Sequence, residues 1–228
     1  MTACGGDDDE GGGGDSGGDG GGSSVNVYSS LPLQGASRPQ TTALVEGIRL
    51  ALEQRGGKAG PTTVKYTSLD DSTAQAGTWT PEATQANARK VAQDDAAVAY
   101  IGEFNSGASA ISIPLLNEVP IAQVSPANTA VGLTSDEPGS EAGEPEKYYP
   151  SGERHYLRIV PKDTIQGAAV ATLMKKDGCT KAYMLNDKEV YGAGLSRNIE
   201  NSAKAQGLEI LANEGIDPKA PNLSLIHI

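Results

Sequence analysis

The residues best suited to bind a ligand lie in a loop between a strand-like segment and a helix-like segment. This loop, residues 102–109, reads Gly-Glu-Phe-Asn-Ser-Gly-Ala-Ser. The first amides of a helix have no acceptor within the helix, and the helix dipole makes that end attractive to anions. Ser106 and Ser109 add hydroxyl donors, so the loop predicts a site for a carboxylate or a phosphate. The alternative is that Ser106 only caps its helix, a role that is compatible with binding.

A second polar loop, Ser125-Pro126-Ala127-Asn128-Thr129, follows the next strand-like segment. In an open parallel sheet, ligands bind beyond the carboxyl ends of the strands, where loops and helix N-termini gather. The hydroxyls and carbonyls of this loop can therefore meet the same ligand, unless the loop is an ordinary turn. A third loop, residues 29–40, follows the first strand-like segment at the same predicted edge.

Catalytic signatures are weak in this sequence. No GxGxxG follows the first strand-like segment, and no GxxxxGK[ST] occurs anywhere. We interpret His155 as a structural residue, and no Ser/His/acid or Cys/His set can be assembled around it. Asp70-Asp71 resembles a carboxylate pair, but adjacent side chains diverge, and a solvated strand end is the simpler interpretation. Because Cys4 and Cys179 lack partner histidines, we expect no metal site. The missing nucleotide-binding motifs and catalytic sets lead us to expect no cofactor and no enzyme activity.

The elements that must position these loops alternate along the chain from Val25 onward. Apolar residues recur at helical spacing over residues 44–52, where Thr41 or Thr42 is expected to cap the helix. Thr80-Pro81 opens a second helix with a cap and a proline in its first turn. Strands separated by helices of about 10 to 15 residues indicate an α/β fold with a doubly wound parallel sheet. Residues 135–154, rich in Pro, Gly and Glu, read as an irregular surface segment between two such blocks.

Composition argues against a nucleic acid partner and against a membrane-spanning helix. The chain has 228 residues and a net charge of −11. An acidic chain offers no basic face to a phosphate backbone, so we expect no nucleic acid partner. No apolar run approaches the ~18 residues of a spanning helix. The mean hydropathy of −0.36 is typical of a globular protein.

The amino-terminal segment, residues 1–24, contains 11 glycines and six acidic residues but no basic one. Such a segment cannot offset its ordering entropy by burial, so it is predicted to be a disordered tether. Thr2-Ala3-Cys4-Gly5 resembles the end of a bacterial lipobox, in which the cysteine becomes lipidated. We therefore predict lipidation at Cys4 and a preceding signal peptide. The alternative is an incidental thiol.

The carboxyl-terminal residues 223–228 read Leu-Ser-Leu-Ile-His-Ile and fit poorly after a loop. We interpret them as a non-native tail, with a short native strand as the alternative. The predicted organisation is a tether over 1–24, an N-terminal ligand-binding lobe over 25–155, a partial second lobe over 156–222, and the tail.

Three segments together resemble one family. They are Tyr-Ile-Gly-Glu-Phe-Asn-Ser-Gly-Ala-Ser (100–109), Val-Pro-Ile-Ala-Gln-Val-Ser-Pro-Ala-Asn-Thr (119–129) and Asp-Lys-Glu-Val-Tyr-Gly-Ala-Gly-Leu (187–195). This order resembles the type I periplasmic binding proteins, and in particular the leucine/isoleucine/valine-binding proteins of ABC importers. The resemblance covers residues 25–217. It implies two α/β lobes that close over a ligand, with the second lobe incomplete here.

The resemblance also implies roles for individual residues. Ser106 matches the serine that binds the ligand carboxylate, Ala127 and Thr129 match residues that receive the ammonium and carboxylate, and Tyr191 matches a cleft tyrosine of the second lobe. Asn105 and Asn128 replace smaller residues, which favours another amino acid or an amide as ligand. Gly107 completes the predicted set, in the first turn of the helix. The acidic residue that usually completes ammonium recognition would lie beyond residue 222.

These features predict an extracytoplasmic, lipid-anchored substrate-binding protein that delivers amino acids to an ABC importer. Its expected partners are a small amino acid ligand, the permease subunits and the membrane through the lipid on Cys4, and the protein is expected to be a monomer. The alternative is a sensing domain of a receptor or regulator with the same fold. An incomplete second lobe also predicts weak ligand binding or none.

Overall fold

The structure, a computed structural model, describes residues 23–217. Residues 1–22 of the predicted tether, with Cys4, and the predicted tail at 223–228 lie outside the described residues. The strands are β1 (Ser24–Leu31), β2 (Lys58–Ala59), β3 (Thr62–Asp70), β4 (Ser72–Thr73), β5 (Thr78–Trp79), β6 (Ala97–Ile101), β7 (Ala122–Ser125), β8 (Tyr156–Arg158), β9 (Lys181–Asn186) and β10 (Glu209–Gly215). The helices are α1 (Arg38–Gln54), α2 (Pro81–Ala92), α3 (Ser106–Asn117), α4 (Asp163–Lys176) and α5 (Val190–Ala205).

The larger sheet has six strands in the order β2-β3-β1-β6-β7-β8. All neighbouring pairs are parallel except β2 with β3, which is antiparallel. A second sheet contains β9 and β10, paired in parallel. The prediction of an α/β fold with helices connecting parallel strands is confirmed, and the short antiparallel strand β2 makes the first sheet mixed.

Alternation along β1 shows how the sequence builds two layers around the first sheet. Tyr28 points into a core with α2 and α3, whereas its neighbour Val27 faces α1 on the opposite side. The members of the first core are Tyr28, Leu69, Ala88, Val91, Ala97, Tyr100, Leu116 and Ile121. Helices on both faces of the sheet are the reason that its strands carry apolar residues in both directions.

Helix boundaries follow local capping chemistry with small departures from the sequence prediction. The Thr80 hydroxyl accepts from the Ala83 amide at 3.3 Å, which confirms Thr80 as the N-cap of α2. Helix α1 begins three residues before Thr41, because its proline fits the first turn of a helix. Thr41 is instead fully buried, and its hydroxyl donates to the carbonyl of Pro32 at 2.6 Å.

Strand β8 differs in placement from the sequence prediction. The sequence placed Tyr156 at the start of the second block, but β8 pairs with β7 at the edge of the first sheet. The second unit of structure begins with α4 and contains α4, β9, α5 and β10. A small core of Ala171, Ala203 and Leu208 joins its helices to its sheet.

Residues 135–154 are less superficial than predicted. They contain only one short 3-10 turn, Glu146–Tyr148, so the expectation of irregular structure is correct. However, Tyr148 and Tyr149 are each only 5% exposed and belong to a core cluster that includes Ile113, Leu133 and Tyr156. The aromatic pair at the end of the segment therefore packs it onto the first unit.

Residues 23–217 show neither a membrane-spanning helix nor a metal-binding cluster. In that part of the chain, no helix is both long enough and apolar enough to cross a membrane. The same residues contain no group of three or more His, Cys, Asp or Glu side chains that could hold a metal ion.

Candidate ligand-binding site

A cavity of about 270 Å³ lies where the first and second units of the structure face each other. Its lining comes from the β6–α3 loop, from the loop after β7 and from the first turn of α5. The lining residues are Phe104, Asn105, Ser106, Ala127, Thr129 and Tyr191. The structure thus brings together five of the seven residues that the sequence predicted for the ligand site.

The amino end of α3 supplies the polar floor of this cavity. Asn105 is the N-cap residue with extended backbone angles, but its side chain makes no capping hydrogen bond. The first-turn amides have no acceptor within their own helix, and the first turn of α3 carries no acidic side chain. This end of the helix can therefore receive an anion.

Ser106 combines burial with a weakly engaged hydroxyl. Its side chain is only 3% exposed, and its Oγ accepts from the Ala130 amide at the long distance of 3.5 Å. The hydroxyl therefore keeps its proton for a group in the cavity. Ser106 is thus shielded from bulk solvent but lines the cavity, where a small molecule can reach its hydroxyl.

Gly107 lies next to the cavity and is closely packed. A Cβ atom at this position would approach Cζ2 of Trp79 to 2.8 Å and a carboxylate oxygen of Glu189 to 3.3 Å. Glycine is required here because the indole ring of β5 leaves no room for a side chain. Trp79 is therefore close to the amino end of α3, on the side that faces the second unit.

Asn128 is the predicted residue whose side chain is not brought to the cavity. It is 1% exposed, and its amide nitrogen donates to the carbonyl of Phe104 at 2.8 Å. Its oxygen accepts from the Ser109 hydroxyl and from the Tyr156 hydroxyl, the latter at 2.8 Å. The side chain therefore joins the two cavity loops to each other and to β8.

Thr129 connects the cavity to the start of α4. Its carbonyl accepts from the amide of Asp163 at 2.9 Å, and Asp163 is fully buried. Burial raises the pKa of Asp163, whereas the charge of the nearby Arg158 opposes that rise. The Arg158 guanidinium itself donates to the carbonyl of Ala130 at 2.9 Å and holds this loop in place.

Tyr191 forms the wall that α5 contributes. It is 40% exposed, and its hydroxyl accepts from the amide nitrogen of Gln166 at 3.4 Å. Of the seven predicted residues, only Tyr191 comes from the second unit, so the cavity depends on how α5 is held against α3.

Two aromatic residues near the site were missed by the sequence prediction. Phe104 lines the cavity and Trp79 packs against Gly107. They are the single Phe and the single Trp of the chain. The rarity of these residues was a usable signal for Phe104, which lies inside the selected loop. Trp79 comes from a short hairpin, β4–β5, that the sequence did not predict.

Beneath the β6–α3 loop lies a pair of buried carboxyl groups, Asp71 and Glu103, both fully buried. Glu103 donates its amide to the Ser109 hydroxyl at 3.0 Å, and its carbonyl accepts from the Ser125 hydroxyl at 2.8 Å. The Tyr100 hydroxyl donates to its carboxyl at 2.6 Å. The sequence interpretation of Asp71 as a solvated strand end is wrong, because its side chain is fully buried beside Glu103.

Comparison with known proteins identifies the family. A family profile described as periplasmic binding protein matches residues 25–226. The chain therefore belongs to the periplasmic binding protein family, of type I, as the sequence resemblance predicted. The proteins of this family are solute-binding proteins rather than enzymes, and membership implies an extracytoplasmic location.

Solved structures with the same fold include solute-binding proteins of two ligand classes. A leucine-binding protein from Thermotoga maritima is similar with a TM-score of 0.72 and 22% identity, over 88% of this chain and 51% of that chain. A solute-binding protein of an ABC transporter from R. palustris, in complex with benzoate, has a TM-score of 0.69 and 21% identity, over 89% of this chain and 50% of that chain. These likenesses show the fold, and the chain spans about half the length of these proteins.

Curated relatives share shorter regions. A metabotropic glutamate receptor-like protein from Dictyostelium discoideum is 33% identical over 64 residues, which are 28% of this chain and 8% of that protein. An uncharacterized protein from Methanocaldococcus jannaschii is 30% identical over 77 residues, which are 34% of this chain and 18% of that protein. The chain thus covers a small part of both relatives.

Proposed function

We propose that this chain captures a small amino acid outside the cytoplasm and delivers it to the permease of an ABC importer. The observation that supports this most directly is the cavity of about 270 Å³ between the amino end of α3, the Thr129 loop and Tyr191. Its volume lies just below the range of about 300–1,000 Å³ for small-molecule sites, as suits a ligand as small as an amino acid. The leucine-binding protein with the same fold supports the same ligand class.

In the proposed complex, each group of the cavity has a chemical role. The ligand carboxylate lies at the amino end of α3, where the amides of Ser106 and Gly107 and the Ser106 hydroxyl donate to it. Carbonyls of the Ala127–Thr129 loop accept from the ammonium group, and the Thr129 hydroxyl contributes to the carboxylate. The ring of Tyr191 covers the ligand from the second unit.

In this proposal, ligand binding closes the two units over the cavity by shifting the population toward the closed arrangement. A ligand that touches α3 and Tyr191 together stabilises the arrangement in which both are close, in proportion to its preference for that state. The Asn105 side chain, which lines the cavity and makes no capping bond, is available to an amide or another polar ligand group.

A titration of the purified chain tests this proposal. L-Leucine, L-glutamine and benzoate are titrated by calorimetry, and thermal shift serves as an independent readout because a ligand that binds only the native state raises Tm. Ser106→Ala is expected to weaken amino acid binding by roughly tenfold, since one hydrogen bond to a charged group is lost. Ser37→Ala is the matched control: Ser37 also lies at a helix N-terminus and makes no side-chain capping bond.

The outcomes separate the alternatives. Binding of an amino acid that Ser106→Ala weakens and Ser37→Ala leaves unchanged supports the proposal. Equal effects of both variants, or binding of benzoate in preference to every amino acid, would refute the assignment of the ligand. Because the chain spans about half the length of its structural relatives, the titration is repeated with any longer chain that the gene encodes.

The importer partnership, the lipid anchor on Cys4 and the monomeric state are parts of the same proposal. Neighbouring permease and ATPase genes would support transport. Metabolic labelling with palmitate should mark the native protein and not a Cys4→Ala variant. Size-exclusion chromatography with light scattering measures the oligomeric state.

Ligand sensing is the second candidate function, and the similarity to a receptor-like protein from Dictyostelium discoideum favours it. In that case the gene would encode a membrane-spanning helix and a signalling domain after this region, and no permease gene would accompany it. The same cavity and the same titration apply, so the genetic context decides between the two.

A further inference from the structure

Residues 135–154, here termed the strap, contact both units of the structure. On the first unit, the Tyr149 hydroxyl donates to the carbonyl of Leu133 at 2.6 Å. The Asn117 side chain donates to the carbonyl of Glu153 at 2.7 Å and accepts from Ser151 at 2.7 Å. Tyr149 and Asn117 are buried, whereas Ser151 and Glu153 are exposed residues, so two buried side chains attach the end of the strap to the first unit.

On the second unit, Arg197 of α5 grips the beginning of the strap. Its Nε and Nη2 atoms both donate to the carbonyl of Gly139, at 3.3 and 3.1 Å. Nη2 also lies 3.4 Å from a carboxylate oxygen of Glu141. The planar guanidinium can make these contacts together, which a lysine ammonium cannot reproduce.

Steric fit at Gly139 completes this contact. A Cβ atom at Gly139 would overlap the side chain of Asn198, which is 4% exposed. The φ angle of Gly139 is +107°, a conformation that side chains with a Cβ rarely adopt. The backbone of the strap at Gly139 therefore packs directly against the side chain of Asn198 on α5.

Further contacts brace the same junction. Val190, at the start of α5, packs against the core cluster of the first unit that contains Tyr148 and Tyr149. Lys162, in the segment between β8 and α4, forms an ion pair with Glu137 of the strap. The strap thus contacts the first unit, the connection and α5.

We infer that Arg197 is a positioning residue for the ligand site: by holding α5 to the strap it keeps Tyr191 over the cavity at the amino end of α3. Arg197 and Tyr191 lie on the same helix, so the contacts that Arg197 makes with the strap also fix the position of Tyr191. This inference rests on the proposed function for the importance of Tyr191, but the geometry that it predicts is measurable without any ligand.

Distances between two spin labels test the inference directly. Cysteines are introduced at Arg89 of α2 and Lys176 of α4, both exposed, after Cys4 and Cys179 are replaced by serine. Pulsed dipolar spectroscopy then compares the unmodified pair with variants at the junction. One narrow distance distribution is expected for the parent protein.

Arg197→Ala and Gly139→Ala are both expected to broaden that distribution at least twofold and to move it to longer distances. Arg197→Lys should be intermediate, because the ammonium reaches Glu141 but does not donate twice to the Gly139 carbonyl. Arg49→Ala is the matched control, since Arg49 forms an exposed ion pair with Glu46 on α1, away from the strap.

If Arg197→Ala does not fold, as judged by circular dichroism, Glu141→Gln serves in its place because Glu141 is exposed. Distributions of the junction variants that superimpose on that of the parent would overturn the inference, and so would an equal change in Arg49→Ala. With L-leucine as probe, Arg197→Ala should weaken binding roughly tenfold, and Arg197→Lys should restore part of it. Absence of leucine binding by the parent counts against the proposed function alone, because the distance measurement does not depend on it.

Discussion

Replacing Asp71 by Asn is predicted to change how the stability of the protein depends on pH. Burial raises the pKa of Asp71 to about 6, and the charge of Asp70 adds to the rise while a hydrogen bond with Glu103 opposes it. Burial and the charge of Asp71 raise the pKa of Glu103 well above its ordinary value. Two adjacent buried carboxyl groups cannot readily ionise together, so we expect the pair to retain a proton in the folded protein.

The magnitude follows from proton linkage. In the unfolded chain Asp71 loses its proton near its ordinary pKa of 3.8, whereas in the folded protein it retains the proton up to a pH of about 6. Between these values the folded state binds more protons, so the free energy of unfolding falls as the pH rises. At about 1.36 kcal/mol for each pKa unit, Asp71 contributes about 3 kcal/mol that is present at low pH and lost above its folded pKa.

Urea denaturation between about pH 4 and pH 8 measures this dependence. Asp71→Asn carries no charge at any of these pH values, and its amide can donate to Glu103. The variant should therefore show a flatter profile and exceed the parent in stability above about pH 7. Parallel profiles for parent and variant would refute the reasoning.

Asp70→Asn is the internal control, with the opposite sign. Burial by itself would raise the pKa of Asp70, but hydrogen bonds from Ser72, Leu33 and Gln34 outweigh burial and lower the pKa. Its contribution is therefore present above the unfolded pKa of 3.8 and lost as the pH falls. The control variant should lose stability near neutral pH and approach the parent in acid.

Three further substitutions rank different sources of stability, each measured by urea denaturation near neutral pH. Leu116→Ala should cost about 2–5 kcal/mol, because the residue is 1% exposed and leaves a cavity in the first core. Tyr149→Phe should cost about 1–3 kcal/mol, since the buried carbonyl of Leu133 loses its donor. Thr80→Ala should cost about 1 kcal/mol, the usual loss for a cap such as the one on the Ala83 amide. A loss for Thr80→Ala as large as that for Leu116→Ala would contradict this order.

Local patterns in the sequence determined much of what the structure contains. The alternation of strands and helices could be predicted from the sequence, because residues close in sequence determine periodicity and capping, as at Thr80. The loop from Gly102 to Ser109 was predicted as a ligand site for a similar reason, because a strand end followed by a helix start exposes the amides and the positive end of the helix dipole; its role in binding remains part of the proposed function. Asn105, Ser106, Ala127, Thr129 and Tyr191 line one cavity, and ligand binding by that cavity stays a prediction.

Only the tertiary structure decided the features that depend on contacts between distant segments. The Asn128 side chain turns away from the cavity because Phe104, Ser109 and Tyr156 satisfy it. Asp71 is buried because folding places its side chain beside Tyr100 and Glu103, which lie far along the chain. The β4–β5 hairpin was not predicted because its two-residue strands are too short to show a periodic pattern. Two further contacts join segments that are far apart in the chain: β8 pairs with β7, and Arg197 donates to the Gly139 carbonyl of the strap. Periodicity and capping act within a few residues, whereas these contacts form only after the chain has folded back on itself.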